Sequence, residues 1–299
     1  MLSLSAEVLS LTCVTDLDEW LTAIDFDPAS SWLAMGTRSL GDEPWLIIDA
    51  QRDAELELRA ELIEQRRAEV ISAPVSSVAA IAETMAFVEA AGFEVEPASV
   101  PAEEPGEMLA RLGRSVAEDF CMLRRGPVEW EFEAAVLCFP SRWRLTDRIG
   151  RPLREVHGPT RGFDPVLASR ITSLLDRMGD RIVRRRNWFI HPDPALYQPD
   201  RPASEPVAHG AAVSNELFLR SERQTLRALP ASGRVLFTIK TQQCSVGDVI
   251  ADDERRRRFL AYVAEAPADQ IEHRGVSLEQ RDALLAALAS GEQVSSSEQ

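Results

Sequence analysis

The residues best equipped for chemistry concentrate between Cys138 and Phe163. There a strand-like segment ends in Phe139-Pro140-Ser141 and is followed by Trp143, six arginines and His157. His157 sits in a Val-His-Gly-Pro context, so a turn holds its imidazole. Such a histidine can simply hydrogen-bond the backbone. The other chemistry open to it is axial ligation of a haem iron, because neutral imidazole binds iron and nearby guanidinium groups pair with propionate carboxylates. A second dense stretch, Leu219-Arg-Ser-Glu222-Arg223-Gln224-Thr225-Leu226, alternates polar with apolar residues at the end of a strand. Its plain reading is a salt-bridged strand edge.

Several familiar chemistries are missing. The sequence contains no P-loop, no GxGxxG after a strand, no HExxH and no GxSxG. The histidines His157, His191, His209 and His273 are too dispersed for a His-rich metal centre. Cys13, Cys121, Cys138 and Cys244 form no zinc spacing and read as reduced thiols. Of the net charge of −15, all falls in residues 1–115, with 22 Asp and Glu against 7 Lys and Arg; the remainder of the 299 residues balances at 26 against 26. An acidic surface repels nucleic acid and anionic lipid, so neither is expected as a partner. No apolar run reaches the roughly 18 residues of a membrane span, and the first residues lack the pattern of an export signal. A cytoplasmic protein is expected.

The elements that must position these residues read as follows. Residues 16–27 form an acidic, aromatic-bearing opening segment. Helices are expected at 52–70, 77–91 and 107–118, with the proline- and glutamate-rich 93–107 as a loop. Trp130, Phe132, Ala134, Val136 and Cys138 alternate with glutamates as in a half-buried antiparallel strand. A helix at 165–178 carries Val166, Leu167, Ile171, Leu174, Leu175 and Met178 as its apolar stripe. Strands follow at 182–190, 213–220 and 234–241, and helices at 253–265 and 278–289, the last opened by a Ser277/Gln280 capping box. The order of elements argues for α+β with an antiparallel sheet. The expected division is an acidic, largely helical region 1–115, a core 116–245 and C-terminal helices 246–299.

A set of short motifs occurs in one order: Met35-Gly-Thr-Arg38, Trp45-Leu-Ile-Ile-Asp49, Glu118-Asp-Phe-Cys121, Cys138-Phe-Pro-Ser-Arg-Trp143, Ile149-Gly-Arg-Pro152, Val156-His157-Gly-Pro159, Arg186-Asn-Trp188, Leu219 to Leu226, and Val235-Leu-Phe-Thr-Ile239. Together they resemble the α subunit of haem-dependent oxidative N-demethylase, over roughly residues 33–245. Each motif is weak alone; the ordered set is specific.

The resemblance implies haem b in a PAS-like antiparallel sheet with flanking helices and helical extensions at both ends. It also implies a monooxygenase-type oxidoreductase that converts dimethylamine to methylamine and formaldehyde with O₂. Electrons would come from NADPH through a partner reductase carrying FMN and a 2Fe–2S cluster, with tetrahydrofolate on a partner receiving formaldehyde. Carried onto this chain, His157 is the expected proximal iron ligand, with His191 as the competitor and His209 and His273 well behind. Glu222, Arg223 and Gln224 are assigned to oxygen and amine contacts, and Arg220 to the haem pocket. Arg142, Arg148 and Arg151 are assigned to the propionates. One departure stands out: the family's tyrosine shortly after Asp49 is absent here, where the run is Ala50-Gln51-Arg52-Asp53, which leaves the amine open. A non-catalytic haem-binding or gas-sensing protein on the same scaffold is the alternative, since a fold alone does not set the function.

Overall fold

In the computed structural model the described residues are 14–30, 36–100, 104–157, 165–210 and 212–295, with 14, 15, 157 and 290–295 described as backbone alone. The acidic first part contributes β1 (Val14–Thr15), α1 (Leu17–Thr22), β2 (Arg38–Ser39), β3 (Ile48–Asp49) and α2 (Arg52–Gln65). It continues with α3 (Arg67–Val70), β4 (Ile71–Ser72), α4 (Val78–Ala90) and α5 (Pro105–Ser115). The middle supplies β5 (Asp119–Arg125), β6 (Trp130–Val136), α6 (Leu153–His157), α7 (Pro165–Asp176), β7 (Val183–His191), α8 (Ala212–Glu216), β8 (Phe218–Leu229) and β9 (Arg234–Ser245). Helices α9 (Val246–Ile250), α10 (Asp253–Glu265), α11 (Ala268–His273) and α12 (Leu278–Ser295) follow.

The fold is α+β. An open antiparallel sheet of seven strands runs in the order β2-β7-β8-β9-β5-β6-β4. Its spine is the β8–β9 hairpin, paired in unbroken register from Phe218↔Ser245 to Leu229↔Arg234. Gly233, at φ +69°, supplies the left-handed backbone that the turn requires. Two strands differ from expectation. The predicted 213–220 strand is helical at its start, in α8, and only from Phe218 onward is it strand, opening the twelve-residue β8. The central strand β5 carried no strand signal, because its apolar run is only the four residues Phe120 to Leu123, bounded by Asp119 and by Arg124 and Arg125.

The two faces of the sheet are covered differently. On the first, Phe120, Met122, Val136 and Leu236 pack with Leu62, Ile81, Leu109 and Leu112 from α2, α4 and α5, in one cluster that spans residue 115. Farther along that face, Trp188 and Leu219 join Trp20, Phe26, Phe259 and Tyr262. The second face is covered by the crossover between β6 and β7. There Cys121, Val183, Val235 and Ile239 meet Leu145, Leu175 and Met178, with Leu153, Val156 and Ile171 of α6 and α7 packed against them.

Candidate functional site

Successive strand residues point to opposite faces, and this sorts the Leu219–Leu226 motif. Arg220, Glu222 and Gln224 project to the crossover face, whereas Ser221, Arg223 and Thr225 project to the first face. Expected site residues adjacent in sequence are thus separated by the thickness of a sheet.

On the crossover face the register places Asn187, Glu222 and Thr241 in one row across β7, β8 and β9. Glu222 is 6% exposed. Its Oε1 accepts a 2.6 Å hydrogen bond from the Ser141 hydroxyl, and its Oε2 accepts one of 2.7 Å from Gln224 Nε2. Arg220 Nε in turn donates to Ser141 Oγ at 2.9 Å, which turns the hydroxyl proton toward Glu222. The rest of the Arg220 guanidinium is engaged by the backbone carbonyls of Phe139, Ala195 and Leu196. It staples the strand-end turn and the 194–196 loop to β8.

Around this carboxylate the face is incompletely covered. Arg185, Asn187, Phe189, Gln224, Leu226, Phe237 and Gln243 are partly exposed; on the first face Leu219, Ser221, Arg223, Thr225, Leu236, Thr238, Lys240 and Gln242 are buried, and Arg184, Arg186 and Arg227 are partly exposed. Three polar atoms of the crossover face, Arg185 Nε, Thr241 Oγ1 and Gln243 Oε1, are buried without a hydrogen-bond partner. Orphaned buried polar atoms are rare in folded proteins, and here they fall in three successive rows of that face, Arg185 beside Gln224, Thr241 beside Glu222 and Gln243 beside Arg220. Burial also holds the Arg185 guanidinium below its ordinary pKa, opposed by the nearby Glu222 charge.

The four histidines separate. His157 closes α6 on the crossover side of the sheet; its side chain, and the Gly158-Pro159 turn, lie outside the described residues. His191 ends β7, 2% exposed, and its Nδ1 lies 2.7 Å from Gln198 Oε1. The Gln198 amide donates to the carbonyls of Asp193 and Ala195, so its oxygen faces the ring and His191 Nδ1 carries the proton. Burial, then Arg142, push the His191 pKa down to about 3, so the ring is neutral. His273 tilts against Phe189 and is held down to about 4 by burial. His209 is exposed.

The arginines assigned to propionates also separate. Arg142 occupies a left-handed backbone conformation at φ 63° and is ion-paired with Glu205. Arg148 donates to the Glu155 carbonyl of α6, and Arg151 is exposed. Both therefore remain available beside α6. Arg223, on the first face, donates to the carbonyls of Trp45 and Pro44. The structure does not bring it together with Glu222.

Buried ion pairs tie α2 to the sheet. Arg59 and Asp119 pair at 2.7 Å with almost no exposure. Lys240 is paired with Glu55 and with Asp49. Ser141, Asn187 and Thr241 were not singled out from sequence. Ser141 belongs to the Cys138–Trp143 motif, and Thr241 is the last residue of the expected 234–241 strand, one step beyond the Val235, Phe237, Ile239 alternation.

A family model described as haem-dependent oxidative N-demethylase, alpha subunit-like, matches residues 88–284. That span holds every strand from β5 to β9, the crossover helices and the Ser141–Glu222–Gln224 cluster, and the chain belongs to this haem-dependent oxidative N-demethylase alpha-subunit-like family.

Proposed function

We propose that this chain is the haem-binding, catalytic subunit of an oxidative N-demethylase acting on a small secondary amine of the dimethylamine kind. Haem b would lie against the crossover face of β7, β8 and β9, beneath α6 and α7, in a PAS-like arrangement. The observation that carries this is the partly exposed face with orphaned polar atoms in three successive rows, the first of them next to the apolar row of Leu226 and Phe237. A flat, largely apolar group with polar edges suits such a surface. The strand order β7-β8-β9-β5-β6, with helices crossing between β6 and β7, supports the PAS-like reading.

His157 is the proposed proximal ligand, with Arg148 and Arg151 beside α6 as partners for the propionates. When bound, the haem supplies the oxygen activation and electron transfer that oxidation at the amine requires. The chain's own contribution centres on Glu222. Its carboxylate, oriented by Ser141 and Gln224, can hold the ammonium of the amine or take its proton. Asn187 and Thr241, in the same row, flank that position. The products are the demethylated amine and formaldehyde. A separate reductase with FMN and a 2Fe–2S cluster would deliver electrons, and tetrahydrofolate on a partner would receive formaldehyde.

The test joins a spectrum to an assay. Reconstituted protein is expected to show a Soret band and amine-dependent O₂ uptake with an artificial electron donor. A protein that takes up no haem refutes the proposal, and one that binds haem without amine turnover is a haem-binding protein only. His157→Ala is expected to lose the Soret band; a normal band in that variant transfers the ligand role to His191.

A further inference from the structure

The first face holds a cavity that the proposed reaction does not use. It measures about 150 Å³ and lies between α1, the Glu43–Ile47 segment and the β7–β8 edge of the sheet. Three arginines that project to this face line it, Arg184, Arg186 and Arg223, against two carboxylates, Glu19 and Glu43. A chain with a net charge of −15 therefore keeps a positive interior here.

The charges in this cavity are unevenly matched. Glu43 is 46% exposed and binds Arg184 Nη2 at 2.6 Å, while its approach to Arg223 is 3.9 Å. Arg186 has no carboxylate partner: its Nη1 donates to Ser221 Oγ and Gln242 Oε1, both neutral and both at 2.8 Å. Its guanidinium carbon stands 6.0 Å from the Trp20 ring. The Nε atom of Arg184 is buried with no acceptor. Burial, with the charges of Arg223 and Arg184, pushes the Arg186 pKa down to about 9. Buried charges are ordinarily paired, because an unpaired one forfeits its hydration without return.

We infer that this cavity binds a short-chain organic carboxylate, whose head pairs with Arg186 and Arg184 and whose apolar body rests on Trp20, Pro44 and Ile47. Guanidinium groups match a carboxylate in a forked geometry, and the apolar wall favours a carbon tail over a naked inorganic ion. An opening of this size admits a carboxylate with a short carbon tail. The inference is independent of haem, which is placed on the opposite face.

The experiment is calorimetric titration and thermal melting of the intact protein with acetate, propionate, butyrate, inorganic phosphate and propanol, in chloride at matched ionic strength. Propionate or butyrate is expected to bind saturably and raise the melting temperature, and propanol to do neither. Arg186→Met should weaken binding about tenfold or more, the scale of one lost charge-assisted pair. Glu43→Gln removes the competing carboxylate and should tighten binding several-fold, which protects the test should Arg186→Met fold poorly. No saturable effect beyond chloride, or equal affinity in wild type and both variants, overturns the inference. Phosphate binding in preference to every carboxylate also overturns it as stated.

Discussion

Asp119 offers the sharpest test of how the candidate site is held. Its carboxylate accepts Arg59 Nη1 and the Cys138 amide, each at 2.7 Å, and the Phe139 amide at 3.1 Å. It thereby ties α2 to the strand end that leads into Ser141. Asp119→Asn keeps the shape and an acceptor for Arg59 but removes the charge, so the Arg59 guanidinium, 0% exposed, loses its counter-ion and the new NH₂ group stands against the Phe139 amide. Breaking one side of a buried pair costs about 3–5 kcal/mol. With an unfolding entropy near 2.1 cal/mol/K per residue, that corresponds to a fall in Tm of about 5–8 °C. Urea and thermal unfolding followed by circular dichroism measure it, with the urea midpoint falling and its slope unchanged. A fall of less than about 2 °C would show that the Asp119 charge is not needed to hold Arg59.

Three further outcomes are expected. Glu222→Gln and Ser141→Ala should keep the Soret band and lose about tenfold or more in amine-dependent O₂ uptake, the range of lost proton-transfer catalysis; unchanged uptake would remove Glu222 from the proposed chemistry. Gly113→Ala should destabilise by about 1–3 kcal/mol, because a Cβ there meets Val136 Cγ2 at 2.7 Å and Ile63 Cδ1 at 2.9 Å; chemical denaturation measures it. Burial raises Glu55 from 4.5 to about 7 despite Lys240, so the folded state favours its neutral form. That contribution is fully present below the unfolded pKa and is lost as pH rises through about 7. Glu55→Gln should therefore gain stability relative to wild type as pH is raised from about 5 to 8, and a pH-independent difference would contradict the assignment.

Helices were the legible part of the sequence. The 165–178 helix shows an apolar stripe and the 278–289 helix a capping signal, and both formed with their ends shifted; the 253–265 helix formed with the expected bounds. The β8 strand was only partly legible because Arg220, Glu222 and Gln224 on one face stand opposite Ser221, Arg223 and Thr225 on the other. With polar side chains on both faces, the period-two hydrophobic signal vanishes where the chemistry sits. The Glu222 environment was legible only as a motif. Its partner Ser141 is 81 residues away, and no local pattern encodes a pairing made by a crossover. The grouping of Arg223 with Glu222 failed for a simpler reason, since neighbours along an extended strand never share a side.

The unbroken β8–β9 hairpin has a consequence for how this chain can vary. A strand is a wall one residue thick, with Glu222 furnishing one room and Arg223 the other. A one-residue slip of β8 against its neighbours would exchange the furniture: the carboxylate would enter the arginine-lined room and a guanidinium would take its place on the crossover face. Substitutions in the hairpin can be absorbed one at a time, but a slip in its register rewrites both rooms at once.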